Sequence, residues 1–171
     1  MQLSIPCRTG RDGFLFLSGS FATYFKTASI AEKSYHAFNS ITTIMDTTTN
    51  SINWFEIPVT DMHRAKHFYQ VIFSQHMDEM EMLGMRMASF PYADGSGKVS
   101  GALVQSEYHK PAMDGAVVYL NANPNMNSVL EKVESVGGKI LMPKTAITPE
   151  IGFMAFIADT EGNRVALHSQ E

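Results

Sequence analysis

At 171 residues, with 44% hydrophobic side chains, the chain suits one compact unit and is too short for two full-sized domains. Its net charge of −4 is uneven, because residues 1–44 hold four basic and two acidic side chains and the rest hold nine and fifteen. Nucleic-acid affinity depends largely on clustered Lys and Arg, so this acidic chain excludes DNA and RNA as partners.

The cysteine content and the lack of long apolar runs limit the possible cellular location of the protein. The single cysteine, Cys7, excludes an internal disulfide framework and the usual cysteine-rich zinc sites. We therefore expect a reducing compartment and a cytoplasmic location. No apolar run approaches the roughly 18 residues of a membrane-spanning helix, so no membrane partner is expected.

Residues 1–49 show neither a helical nor a strand period for long and are rich in Ser and Thr. We interpret them as a poorly ordered extension before one domain at 50–171. Met45 stands just before the first patterned residues, which suggests the hypothesis that Met45 is the natural start and leaves the choice between Met1 and Met45 open. A transit peptide is the competing interpretation of this segment.

The stretch 53–73 changes its hydrophobic period near the middle. Residues 54–59 alternate, which predicts a half-buried strand. The two rows of this strand are Phe55, Ile57 and Val59, and Trp54, Glu56 and Pro58. From Met62 to Phe73 the apolar residues recur at helical spacing, and Asp61 at the junction is predicted to cap that helix.

Three more strands follow, at 76–82, 85–92 and 100–106. The segment 107–114 is interpreted as a connection.

The same order then recurs. A strand at 115–122 precedes a helix that Asn125 begins and Gly137 ends, and the last strands are predicted at 139–145, 153–158 and 163–169. Two sets of about 60 residues with one order of elements indicate an internal duplication. We predict an α+β fold of two βαβββ modules, about 50–107 and 114–171, that enclose a cavity.

Four stretches resemble a known family when they are taken together in this order. They are WFEIPVTD at 54–61 followed by Phe68 and Tyr69, GALV at 101–104, VYLN at 118–121 leading to VGG at 136–138, and DTEGNRVALH at 159–168. The chain resembles the vicinal oxygen chelate (VOC) superfamily of glyoxalases, bleomycin-resistance proteins and extradiol dioxygenases. The resemblance implies paired βαβββ modules around a cavity, often with a divalent metal, and often a homodimer. It leaves open whether the modules pair within one chain or between two.

The resemblance also implies where metal ligands would stand. The usual positions fall on Trp54, Val117, Ala166 and a place near Ala102. Indole, isopropyl and methyl groups cannot coordinate a cation that needs oxygen, nitrogen or thiolate. We therefore predict no metal and no cofactor, and we do not expect glyoxalase I or extradiol dioxygenase chemistry.

Strand parity and the equivalence of the modules select the cavity wall. The candidate catalytic residues are Glu56 and His168, and the candidate substrate-binding residues are Trp54, Tyr119, Val117 and Ala166. Glu56 alternatively has a structural partner such as Arg164 or is solvated at the rim. His168 alternatively is a rim residue, and the aromatic residues alternatively serve packing.

Five methionines between 77 and 87 are interpreted as core filling, with an adaptable pocket as the alternative.

The function that these observations favour is binding of a small organic molecule in the cavity between the modules, with lyase- or isomerase-type turnover left open. The alternatives are a sequestering protein of the resistance type, and an enzyme whose metal ligands are displaced, with Glu56 and His168 as candidates.

Overall fold

The computed structural model describes residues 47–171, which contain two helices and eight strands. The first set is β1 (Trp54–Pro58), α1 (Met62–Phe73), β2 (Asp78–Met82), β3 (Met85–Ser89) and β4 (Ser100–Gln105). The second set is β5 (Tyr119–Asn121), α2 (Asn127–Val133) with a 3-10 turn (Glu134–Val136), β6 (Lys139–Thr148), β7 (Gly152–Ala158) and β8 (Arg164–Ser169). The βαβββ order therefore occurs twice, as predicted. The extension predicted at 1–49 lies, up to residue 46, outside the described residues.

Each set of strands forms one four-stranded mixed sheet. The strand orders are β1-β4-β3-β2 and β5-β8-β7-β6, so the two sheets have the same topology. In each sheet the first strand is parallel to the last, and the other neighbours are antiparallel. In each module the helix crosses from the first strand to the second at the opposite edge of the sheet, and the two antiparallel connections that follow bring the last strand back beside the first.

Helix α1 has the boundaries and the buried face that the sequence predicts. Asp61 is its N-cap, and its carboxylate accepts a 3.0 Å hydrogen bond from the backbone N–H of Arg64. The helix ends at Ser74, which adopts the left-handed conformation with φ of 52°. Its buried residues are Met62, Ala65, Phe68, Tyr69 and Ile72.

The second module departs from the prediction at its first strand and its helix. Strand β5 has three residues instead of the eight predicted at 115–122, and the stretch before it contains Gly115 with φ of 106°. Helix α2 begins at Asn127, whose backbone N–H donates to the side chain of Asn125 at 3.0 Å. The chain leaves the 3-10 turn at Gly137, which has φ of 91° and thus forms the predicted glycine stop.

Both modules contribute to one hydrophobic core, which lies on the helix-covered faces of the sheets. Burial of each large apolar side chain stabilises the fold by roughly 1.5–3 kcal/mol. Core residues include Ile57 and Leu103 of the first sheet, Leu120 and Leu167 of the second, and Phe68, Leu130 and Val133 of the helices.

A buried hydrogen bond joins the modules inside this core. The hydroxyl of Tyr69 on α1 donates to Asp159, which follows β7, at 2.8 Å. Burial and then the neighbouring Asp159 carboxylate raise the pKa of Tyr69 well above its ordinary value. The phenol therefore stays protonated and remains a donor.

A second junction joins the turn before β8 to the start of α1. The Glu161 carboxylate accepts from the backbone N–H groups of Thr60 and Asp61 at 2.9 and 3.0 Å, and from Nε of Arg64 at 2.7 Å. Burial raises the pKa of Glu161, but the hydrogen bonds outweigh that effect and lower it to about 2. Glu161 is therefore ionised when it binds these donors.

Neither of the helices among residues 47–171 has the length and apolar character needed to cross a bilayer.

Candidate functional site

Each sheet has one face that its helix does not cover, which we call the helix-free face. On β1, Ile57 belongs to the core and Phe55 packs against it, so Trp54 and Glu56 lie on the helix-free face. Glu56 stands beside Ala102 of β4 in the parallel register. The side chain of Glu56 is 34% exposed, so this carboxylate is in contact with solvent.

The second sheet places the equivalent residues in the same way. Tyr119 of β5 stands beside Ala166 of β8, and Asn121 stands beside His168. The Tyr119 ring packs edge-on against Phe156, with the ring centroids 6.0 Å apart. Val117 lies just before β5 and is half-buried. The register therefore groups Tyr119 and Ala166 on the second sheet and Trp54 and Glu56 on the first.

Glu56 has a partner that the sequence did not indicate. Its Oε2 lies 2.8 Å from Nε2 of His109, and Nδ1 of His109 lies 2.7 Å from the hydroxyl oxygen of Ser106. The three side chains form a continuous hydrogen-bonded chain, the Glu56–His109–Ser106 relay. The expected alternative partner, Arg164, makes no hydrogen bond to Glu56 among the described contacts.

The relay assigns a tautomer to His109. With Glu56 ionised, its oxygen is an acceptor, so Nε2 of His109 carries the proton and donates it. Nδ1 then accepts from the Ser106 hydroxyl, whose oxygen accepts from the backbone N–H of Tyr108 at 3.1 Å. The arrangement can pass a proton between Glu56 and Ser106 through the imidazole, which is the chemistry of a general acid–base group.

Sequence reasoning missed Ser106 and His109 for a specific reason. His109 lies in the segment interpreted as a connection, and its contact with Glu56 spans 53 positions of the chain. A single histidine in an irregular segment carries no periodic signal. A Ser and a His three positions apart occur too often in proteins for this spacing to have identified Ser106 and His109 as a functional pair.

His168 is held in another contact. Its Nε2 donates to the backbone carbonyl of Ile151 at 2.8 Å, across the end of the second sheet. That nitrogen therefore carries a proton.

The β2–β3 hairpin carries a patch of methionines on the helix-free face. Met80 pairs with Met87 and Met82 pairs with Met85 in the antiparallel register. Met80 and Met82 are 43% and 46% exposed, so the prediction of core filling is wrong for these two residues. Strand β2 is the edge strand of its sheet, and all five of its residues are exposed.

A cleft of about 160 Å³ lies where β1, the segment before β5 and the start of β8 meet. Four charged residues line it, together with Asn163 and apolar groups. The charged residues are Glu56, Lys110, Asp114 and Arg164. Glu56 therefore belongs to both the relay and the cleft.

Comparison with known proteins places this geometry in a family. The family model for the Glyoxalase/Bleomycin resistance protein/Dioxygenase superfamily matches residues 51–167. The chain belongs to this superfamily. A glyoxylase-like domain-containing protein of Didymella fabae is 29% identical to this VOC protein over 119 residues, which are 68% of this chain and 91% of that protein.

Solved structures share the fold of this VOC protein. A glyoxalase I mutant from Zea mays has a TM-score of 0.52 at 18% identity, and the match covers 69% of this chain and 46% of the maize chain. A virulence protein from Salmonella typhimurium has a TM-score of 0.51 at 16% identity, with 75% of this chain and 100% of that chain covered. Because the match covers 46% of the maize chain, this chain spans less than half of the maize protein. The predicted family and fold class are confirmed.

The positions to which the sequence resemblance assigns metal ligands do not fit a cation in this VOC protein. Trp54, Ala102 and Ala166 lie on helix-free faces, with Val117 at the start of the second one, and none offers a donor atom. Among residues 47–171, no three His, Cys, Asp or Glu side chains are grouped so that they could hold a metal ion. We therefore assign no catalytic step to a metal at these positions.

Proposed function

We propose that this VOC protein binds a small organic molecule at the helix-free faces of its two modules and uses no metal at the four usual positions. The observation that carries the proposal is the hydrogen-bonded pair of Glu56 and His109 beside Trp54. This pair lies on a face where the positions assigned to metal ligands have apolar side chains. Exposed aromatic groups next to a few polar groups are typical of ligand sites. Trp54 and Tyr119 are 40% and 51% exposed.

The proposed chemistry is proton transfer of a lyase or isomerase type. Glu56 would accept or donate the proton at the substrate, because it reaches the cleft. His109 would hold Glu56 in place and exchange its proton with Ser106.

The chain offers a direct test of binding because Trp54 is its single tryptophan. Candidate metabolites would be screened by thermal shift, and each hit titrated while the intrinsic tryptophan fluorescence is followed. We expect a saturable fluorescence change that weakens in Tyr119→Phe and is unaffected in Tyr92→Phe, an exposed tyrosine outside the strands. Stabilising hits that leave the fluorescence unchanged would contradict binding at this face.

A sequestering protein is the second candidate function. The exposed Met80 and Met82 favour it, because flexible thioether side chains adapt to varied apolar ligands. Product analysis of each hit by NMR separates the two functions. Consumption that is lost in Glu56→Gln supports an enzyme, and tight binding without consumption supports sequestration.

Elemental analysis of untagged protein tests the alternative that this is an enzyme whose metal ligands are displaced from the usual positions. Stoichiometric zinc, nickel, iron or manganese that disappears in Glu56→Ala would overturn the metal-free proposal. We expect substoichiometric metal, because Glu56 is hydrogen-bonded to His109 and His168 is hydrogen-bonded to a backbone carbonyl.

We also propose that residues 50–171 suffice for folding and binding, as two modules at about 50–107 and 114–171, and that the protein is a cytoplasmic homodimer. The core shared by both modules supports the first statement. Chemical denaturation of the full chain and of residues 50–171 tests whether these residues suffice for folding. Analytical ultracentrifugation of both proteins tests the homodimer. A single cooperative transition of equal midpoint is expected for both.

A further inference from the structure

Arg164, which lines the cleft beside Glu56, has one guanidinium N–H group without a hydrogen-bond partner among the described residues. The Nε atom of Arg164 is buried and has no hydrogen-bond partner among the described residues. The guanidinium is always charged at physiological pH, and leaving one of its buried N–H groups unpaired is unfavourable. The backbone of the same residue is satisfied, because its N–H donates to the Ala112 carbonyl at 3.3 Å.

The surroundings of Arg164 favour an acceptor that comes from outside the chain. The amide group of the neighbouring Asn163 donates to the Pro58 carbonyl and to Asp159 at 2.8 Å and accepts from the Ala112 N–H at 3.1 Å. Oε2 of Glu56 is committed to His109. Neither Asn163 nor Glu56 accepts a hydrogen bond from Nε of Arg164 among the described contacts.

The charge and size of the cleft limit what can supply that acceptor. Lys110 adds a second positive charge to the lining, and Glu56 and Asp114 add two negative charges. Lys110 and Asp114 are both exposed, so water screens both of these charges. The volume of about 160 Å³ suits a small group.

We propose that this cleft binds the carboxylate of a small organic acid, with its oxygens accepting from the Arg164 guanidinium and with Lys110 at the mouth. A guanidinium matches a carboxylate in planarity and in the spacing of its donors. The inference rests on the proposed small-molecule function and names its ligand class. Glu56 then faces the remainder of the bound acid from the same cleft, next to Trp54 on β1.

The test uses the full chain, propionate as the probe and the neutral isostere propionamide as its control. Two-dimensional NMR of the arginine Nε–H groups would follow Arg164, assigned by its disappearance in Arg164→Lys. We expect a saturable shift of this resonance with a dissociation constant of the order of millimolar, which is reasonable for so small a ligand. Propionamide should give no saturable shift.

Matched variants separate a specific site from general charge. Arg164→Gln should weaken propionate binding by tenfold or more, and Arg164→Lys should weaken it as well, because lysine keeps the charge but has no planar fork. Arg86→Gln should leave it unchanged, because Arg86 is exposed and paired with Glu79 at 3.3 Å. Circular dichroism would verify the fold of each variant, and Arg164→Lys serves as the measurement if Arg164→Gln does not fold.

Three outcomes would overturn the proposal. They are a resonance of Arg164 that does not respond to propionate, equal binding of propionamide, and binding of inorganic phosphate but not of propionate. The failure of this proposal is distinguishable from failure of the proposed function. A metabolite that changes Trp54 fluorescence equally in the wild type and in Arg164→Gln would leave small-molecule binding intact and remove the carboxylate site.

Discussion

His109 lies with its Nε2 atom 2.8 Å from Oε2 of Glu56, so a residue of an irregular segment completes a polar pair on a strand 53 positions earlier. The contact fixes the carboxylate on the helix-free face and extends it to the Ser106 hydroxyl. It also ties the segment after β4 to β1, the strand beside β4 in the sheet.

Replacing His109 by Ala removes hydrogen bonds to both Glu56 and Ser106. We expect a loss of about 1 kcal/mol in the free energy of unfolding, because both partners are in contact with water and regain hydrogen bonds there. Urea denaturation measures the effect. His67→Ala on the exposed side of α1 is the control, and an equal loss in the two variants would argue against the relay.

Glu161 should make stability depend on acid pH. Its pKa is about 2 in the folded chain against an ordinary value of 4.5, so its contribution is present above pH 4.5 and is lost as the pH falls toward 2. Glu161→Gln should lose roughly 2 kcal/mol at pH 7, after allowance for the half-exposed Arg64 partner.

The same variant should show a flatter dependence of stability on pH between 5 and 2 than the wild type. Denaturant midpoints at several pH values measure this slope. Glu131→Gln, an exposed glutamate of α2, is the control. An unchanged slope in Glu161→Gln would show that other carboxylates govern the acid response.

Tyr69→Phe should destabilise the chain by roughly 1–3 kcal/mol. The change keeps the ring but leaves one donor fewer for the buried Asp159 carboxylate, which still accepts from Asn163. Thermal and urea unfolding report the loss. Tyr108→Phe, at a side chain on the surface (83% exposed), should change stability by less than about 0.5 kcal/mol.

Gly101→Ala should disrupt the pairing of β1 with β4. A Cβ atom at Gly101 would collide with the carbonyl oxygen and the ring of Phe55, its partner in the parallel register. A backbone oxygen cannot move aside cheaply, so we expect a loss of about 1–3 kcal/mol or more. Ser100→Ala, which removes one 3.2 Å hydrogen bond to the Phe90 carbonyl, should cost less.

The sequence alone determined the order of the elements in the domain and the direction of many side chains. The change of period at Asp61 predicted β1, the cap and α1, and the structure has all three. Alternation along β1 predicted that Trp54 and Glu56 face away from the helix, and they do. Such features depend on neighbours within a few positions, which sequence patterns record directly.

Only the tertiary structure decided which distant groups meet. Strand order and the path of the segment before β5 decide three features. They are the pairing of Glu56 with His109, the exposure of Met80 and Met82, and the place of Arg164, with its unpaired Nε, in the lining of a cleft. Periodicity gives the face on which a side chain lies, but it does not give the partner across that face. The partner depends on packing between parts of the chain that the sequence separates by 50 or more positions.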